Sequence, residues 1–165
     1  MSVITQRMCG QMDGDFVVFL IGMRVNRWWK PWTWLRVGAA MPRMVRELTL
    51  HPELGYLGGE SWFGRTTVMV QYWRSTAELL AYAKKRDAEH LPAWRAFNEL
   101  VGTGGDVGIW HETYRVRAGD HESVYVNMMP FGLGKAGRLV EATGRRKDAE
   151  GRLAGSREAD AGAKD

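Results

Sequence analysis

Apolar positions along the chain fall into runs of two kinds. Phe16-Val-Val-Phe-Leu-Ile-Gly-Met-Arg-Val25 is apolar, β-branched and aromatic with no helical period, and predicts a buried central strand. Asn26 to Trp34 mixes Trp, Arg, Lys and Pro and predicts a loop, with Thr33 to Ala40 a short helix or lead-in. Met41, Met44, Val45 and Leu48 then recur at i, i+3, i+4 and i+7, one helical stripe that His51-Pro52 closes. Leu54 to Phe63 is a strand softened by Gly55, Gly58 and Gly59. Arg65 to Trp73 alternates cleanly, with Val68, Val70 and Tyr72 on one face and Thr67, Met69, Gln71 and Trp73 on the other.

Ser75-Thr-Ala-Glu78 is a capping box and starts a helix with Leu79, Leu80, Tyr82 and Ala83 on its apolar face. A second helical piece carries Trp94, Phe97 and Val101 on one stripe, and Gly102 to Asp106 breaks it. Val107 to Arg117 is a fourth strand, and His121 to Met128 is a candidate for a fifth. The order β-α-β-β-α-β is the split βαβ, ferredoxin-like α+β arrangement, with an antiparallel sheet and both helices on one face. Its other face would leave Trp73, Met69, Phe16 and Leu20 uncovered, so the expectation is a homodimer stacked sheet to sheet with a cavity between layers.

Composition narrows the class. At 165 residues, 45% hydrophobic and 25% charged, the chain is an ordinary globular domain. It contains one cysteine, Cys9, so no disulfide or paired-cysteine zinc site forms within it. No apolar run approaches the roughly 20 residues of a membrane span, and the first residues carry no signal-peptide core, so a cytoplasmic protein is expected. Residues 134–165 lack Phe, Trp and Tyr and are rich in Ala, Gly and charge, which predicts a disordered tail; residues 1–14 read as an arm and 15–133 as the folded domain. Net charge is +4, yet Arg24 to Arg46 holds six basic residues and no acid. No phosphate loop, dinucleotide fingerprint, nucleophile elbow or acidic metal cluster is present, which disfavours hydrolases and nucleotide enzymes.

The blocks Asp106-Val-Gly-Ile-Trp-His-Glu-Thr-Tyr114 and His90-Leu-Pro-Ala-Trp94, within Asp87 to Phe97, resemble a monooxygenase-like family. It lies in the dimeric α+β barrel, antibiotic-biosynthesis monooxygenase-like superfamily. The resemblance covers about residues 15–133. It implies a dimeric barrel of ferredoxin-like subunits and a monooxygenase-like oxidoreductase that acts on a hydrophobic aromatic or polyene molecule, as in secondary metabolism. Relatives in the superfamily include cofactor-free monooxygenases, haem enzymes such as aldoxime dehydratases and haem-degrading proteins, and members that only bind. No cofactor is the favoured expectation here, with haem as the alternative.

Among the histidines, His51 before Pro52 and His121 in a polar stretch read as surface or capping residues. His111 sits in the fourth strand with Ile109 and Thr113 on its face and Trp110, Glu112 and Tyr114 on the other; facing a cavity it would serve as general base on a phenol or carbon acid. By the resemblance, His90 would be the second catalytic candidate and the axial ligand if haem is bound, with Trp73 as a tryptophan that distorts it. Arg24, Gln71, Trp73, Trp94 and Trp110 are the expected substrate contacts. The Trp28, Trp29, Trp32, Trp34 cluster with Arg27, Lys30 and Arg36 admits nucleic-acid binding, a membrane interface, or a cavity lid or plain packing. The modest net charge argues against nucleic acid, and the lid or packing is favoured. Met23, Met41, Met44, Met69 and Met128 read as adaptable packing rather than metal ligands. A binding protein for a hydrophobic ligand, without catalysis, is the reading from a different class.

Overall fold

The uninterrupted apolar run at Phe16 demands neighbours on both sides, and it has them. The computed structural model describes residues 2–85, 98–99, 102 and 104–154. In it β2 (Phe16–Val25) pairs antiparallel with β4 (Val68–Trp73) and with β5 (Val107–Val116), and β3 (Tyr56–Trp62) completes a sheet of order β3-β4-β2-β5. Helices α1 (Pro31–Gly38) and α2 (Ala40–Leu50) link β2 to β3, and α3 (Thr76–Lys84) follows β4. Connectivity and strand order together are the ferredoxin-like α+β arrangement expected. The capping box forms as read: Ser75 Oγ accepts from the Glu78 N–H at 3.1 Å and donates to Glu78 Oε2 at 2.8 Å. The helical piece with Trp94, Phe97 and Val101 lies largely outside the described residues. No helix among the described residues is long and apolar enough to cross a membrane.

Strand register assigns every side chain to a face. Tyr56, Trp73, Val17 and Arg115 form one row across the sheet; Gly59, Gln71, Phe19 and Thr113 the next; Ser61, Met69, Ile21 and His111 the third. Leu48 of α2 and Leu79 and Tyr82 of α3 pack with Val17 and Trp73, so these rows face the helices. Trp73 is only 1% exposed, and its ring stands 5.7 Å from those of both Tyr56 and Tyr82. Burial pushes the Tyr56 phenol up to about 12, and the charge of Glu60 adds to the effect. The expectation that Trp73 and Met69 lie on the uncovered face is therefore corrected: both sit under the helices. An extra residue between Tyr56 and Gly58 in β3 shifts the pairing by one, so that Tyr56 and Gly59 both stand in rows of the helix-side face.

The terminal segments also depart from expectation. In the reading of residues 1–14 as an arm and 134–165 as a disordered tail, the described part does not hold. β1 (Met8–Gln11) pairs with β6 (Arg138–Glu141), and α4 (Gly132–Ala136) lies beside them. Small residues make this possible: a Cβ on Gly10 would fall 2.9 Å from the Gly134 nitrogen, so the segments meet backbone to backbone. Arg152, buried, pairs with Glu122 and donates to the carbonyls of Arg146 and Lys147 at 3.0 and 3.1 Å. Instead of a fifth strand, 121–128 makes isolated bridges, Tyr125 to Met8 and Met128 to Ile4.

α4 covers part of the sheet's outer face from within the chain. Tyr72 accepts a hydrogen bond from the Leu133 backbone, Tyr125 Oη accepts from Gly134 N–H at 3.1 Å, and Lys135 pairs with Glu60 at 3.0 Å. Trp73→Ala should destabilise the fold by about 3–5 kcal/mol, the cost of a large emptied core site. Urea unfolding with an unchanged m-value is the check.

Candidate functional site

One end of the helix-side face is filled and the other is not. Beneath α1 and the first turns of α2 lies a cavity of about 560 Å³. Its floor is Ile21, Met23, Met69, Ser61, Thr67 and Ile109 from the strands, and its roof is Val37, Gly38, Met41, Met44 and Val45. Trp62 and Phe63 stand at the rim. The helical stripe read from Met41, Met44, Val45 and Leu48 explains the roof: Leu48 is buried in the core and the other three hang over the cavity. Apolar side chains line nearly all of it, with Arg46, Ser61 and Thr67 as the polar groups among them. Thr67 Oγ1 already accepts from Met23 N–H at 3.0 Å. The cavity thus lies between sheet and helices within one chain, and it is methionine-rich. Four of the five methionines assigned to packing line it, which suits a site that adapts to its ligand.

His111 has a defined relation to this cavity. It is the fourth member of the row Ser61–Met69–Ile21–His111, and the other three members line the cavity. It directly opposes Ile21, follows the lining residue Ile109 on the same face of β5, and is solvent-exposed. Its ring lies 5.7 Å from that of Phe19. The face left open by the sequence is thereby decided: His111 lies on the same face of the sheet as the cavity, one row position beyond its lining residues, while Trp110, Glu112 and Tyr114 point to the other side.

The other expected contacts fall elsewhere. Arg24 is on the outer face, exposed, and donates to Thr66 Oγ1 at 2.7 Å. Trp110 is also on the outer face, over Gly22, with its indole N–H buried and unpartnered. Gln71 is buried, and its amide is engaged: Oε1 accepts from Trp73 Nε1 at 2.9 Å and Nε2 approaches Met69 Sδ at 3.3 Å. Trp73 and Gln71 are thus packed in the core beneath the helices, outside the cavity lining. His90 and Trp94 lie outside the described residues. Trp28, Trp29, Trp32 and Trp34 are not among the cavity-lining residues; α1 begins at Pro31, and its turn directs Trp34 and Val37 inward and Trp32 and Leu35 outward.

No group of three or more metal-ligating side chains occurs among the described residues. The cavity lining contains no His, Cys or Tyr, so the described residues offer haem iron only thioethers there. Cys9 is buried away from this cavity, in the terminal sheet, and desolvation pushes its thiol up, which leaves it a poor nucleophile. His51 is on the surface against Glu53, as read. His121 is not: it is buried with its ring edge-on to Phe16, and Nε2 accepts from Met12 N–H at 3.3 Å. A backbone donor to Nε2 requires the neutral ring, and burial lowers the pKa against the opposing charges of Asp120 and Asp13.

Comparison with known proteins matches residues 16–133 to one family model, described as monooxygenase af470-like. The chain belongs to that family. Monooxygenase af470 of Aspergillus fumigatus is 30% identical over 140 residues, 74% of this chain and 46% of that protein, so the chain spans about half of that relative's length. The crystal structure of SnoaB, a cofactor-independent oxygenase from Streptomyces nogalater, aligns at TM-score 0.45 and 15% identity over 62% of this chain and 94% of that one. Within the af470-like match lie the cavity floor, its roof and His111.

Filling the cavity should block it. Ile109→Trp places an indole over the floor and should weaken uptake of an uncharged polarity-sensitive dye such as Nile red by about tenfold or more, with the urea midpoint little changed. His121 gives a pH signature. Above the unfolded imidazole's ordinary 6.5 its contribution is complete; below it the unfolded chain binds a proton that the folded chain resists, and stability falls. Between about pH 7.5 and about pH 5.5 His121→Gln should flatten that part of the loss in urea titrations.

Proposed function

We propose that the chain is a monooxygenase that oxidises an apolar, aromatic or polyene small molecule held in the methionine-lined cavity. The observation that carries this reading is the placement of His111 as the last member of a row whose other members form the cavity floor. Membership of the af470-like family supports the reaction class. A substrate in the cavity would meet mostly apolar side chains, and His111 stands on the same face of the sheet, opposite the lining residue Ile21.

In the cofactor-free form of the reaction, His111 takes a proton from an acidic C–H or O–H of the substrate. The substrate anion then reduces O₂. One oxygen becomes a carbonyl on a former CH₂ carbon, the other leaves as water, and the protons and electrons of the CH₂ group balance the step. The dry cavity keeps the anion from being reprotonated by bulk water. Haem chemistry through His90 remains the cofactor-bearing alternative. A homodimer closed over the exposed β5 half of the outer face, around Glu112 and Tyr114, completes the proposal.

A second reading has its own support. The lining holds no titratable base, and its one charged group is the permanently protonated Arg46 guanidinium, as suits a protein that binds an apolar ligand without turning it over. The readings separate in an oxygen electrode with candidate phenols and polyenes. An oxygenase consumes O₂ stoichiometrically with substrate, and His111→Ala loses about a hundredfold in kcat, within the usual range for a general base. Saturable ligand binding with no O₂ uptake in either protein supports the binding reading.

A further inference from the structure

α1 and α2 carry two opposed stripes. The inner stripe, Val37, Met41, Met44, Val45 and Leu48, roofs the cavity and enters the core. The outer stripe is Trp32, Leu35, Arg36, Ala39, Arg43 and Arg46, all exposed and falling on one side of the helices, with Arg46 also touching the cavity. It runs on across the junction because Ala39 keeps helical geometry (φ −66°, ψ −15°) and its N–H reaches the Leu35 carbonyl at 3.0 Å.

A surface helix should turn its apolar side inward. α1 instead has no fully buried residue and turns Trp32 and Leu35 outward, 79% and 51% exposed. Trp28 and Trp29, 69% and 60% exposed, extend the same apolar end, edge to face at 6.1 Å. The other end of the stripe is basic, and Arg24 to Arg46 contains no acid to oppose it. Arg27 and Lys30 share the single carboxylate of Asp106 at 2.6 and 2.8 Å, and Arg36, Arg43 and Arg46 are the cations of the stripe itself.

We propose that Trp28, Trp29, Trp32 and Leu35, with Arg36, Arg43 and Arg46, form a docking surface for an anionic lipid membrane. Tryptophans insert at the headgroup level and arginines pair with lipid phosphates, the division of labour of an interfacial helix. The eight residues of α1 span only about 12 Å, so the helix lies in the membrane plane rather than across it. Charge complementarity selects an anionic surface. Leu35, and the mutually perpendicular Trp28 and Trp29 rings, fit lipid better than stacked bases, which need open and parallel aromatic platforms. This surface is the outer side of the helix whose inner side walls the cavity, and Phe63 at the cavity rim is 87% exposed as well. The inference does not depend on the oxygenase reading, since binding to lipid is measured without turnover.

The test uses the full chain with phosphatidylcholine–phosphatidylglycerol vesicles and with pure phosphatidylcholine vesicles. Expected are co-sedimentation with the anionic vesicles, a blue shift of tryptophan emission, and quenching by brominated acyl chains. Trp28→Ser/Trp29→Ser/Trp32→Ser should keep the circular dichroism spectrum and lose about tenfold or more in partitioning. Arg36→Gln/Arg43→Gln/Arg46→Gln should lose about fivefold per charge removed, and high salt should mimic it. Vesicle binding unchanged in the tryptophan variant would overturn the proposal. So would no vesicle binding together with tight binding of a single-stranded oligonucleotide. A dimer by light scattering that becomes monomeric in the tryptophan variant would assign the surface to a second copy instead.

Discussion

Burial of Trp73 is the contact on which the layering of this protein depends. It occupies the row where the second and third of the crossing strands meet both helices, with Val17 beside it and Leu48, Leu79 and Tyr82 above. A side chain that large must bury a polar N–H as well as a ring. Gln71, two residues earlier on the same face, supplies the acceptor, and its own amide turns toward the Met69 sulfur. An unbroken polar thread therefore runs inside an apolar layer, from indole to amide to thioether, and ends at the cavity floor.

This arrangement also explains why there is a cavity at all. At the Trp73 end, bulky rings fill the space between sheet and helices. Toward the other end the strands present Ser61 and Thr67, which are too small to reach the roof, and methionines, which can reach it in several ways. α2 is seated through Leu48 near its C-terminus, while its N-terminal half and α1 span the gap. The fold thus combines a rigid end and an adaptable end on one sheet surface, and His111 stands at the boundary of the adaptable end.

Much of the fold could be read from periodicity. The Phe16–Val25 strand, the helix stripe of Met41 to Leu48 and the Ser75 cap each carry a local signal that tertiary contacts only reinforce. Facing was harder, because strand alternation defines two faces without saying which one receives the helices. Trp73 and Gln71 looked like ligand contacts for that reason, and Arg24 and Trp110 were placed with them although the register sends them to the opposite side. The terminal segments were hidden by average composition: Cys9, Leu133 and Ala142 are few, but glycines let backbones approach closely enough for few to suffice. His121 was misjudged because polar sequence neighbours say nothing about the Phe16 ring that covers it. The methionines were the signal for the cavity, spread over helix and strands where no local motif could gather them.

Gly38 gives the architecture one adjustable dimension. A Cβ placed there would lie 3.1 Å from the Met23 Cε, so the end of α1 rests on the tip of the Met23 side chain. Its backbone conformation is ordinarily helical, and nothing but this contact reserves the position for glycine. The clearance between roof and floor is thus kept by a thioether rather than by a rigid strut. A carbon added at position 38 would be met by that tip, which can turn aside into the ligand space, so the volume open to a ligand would shrink while the hydrogen-bonded sheet below stays as it is.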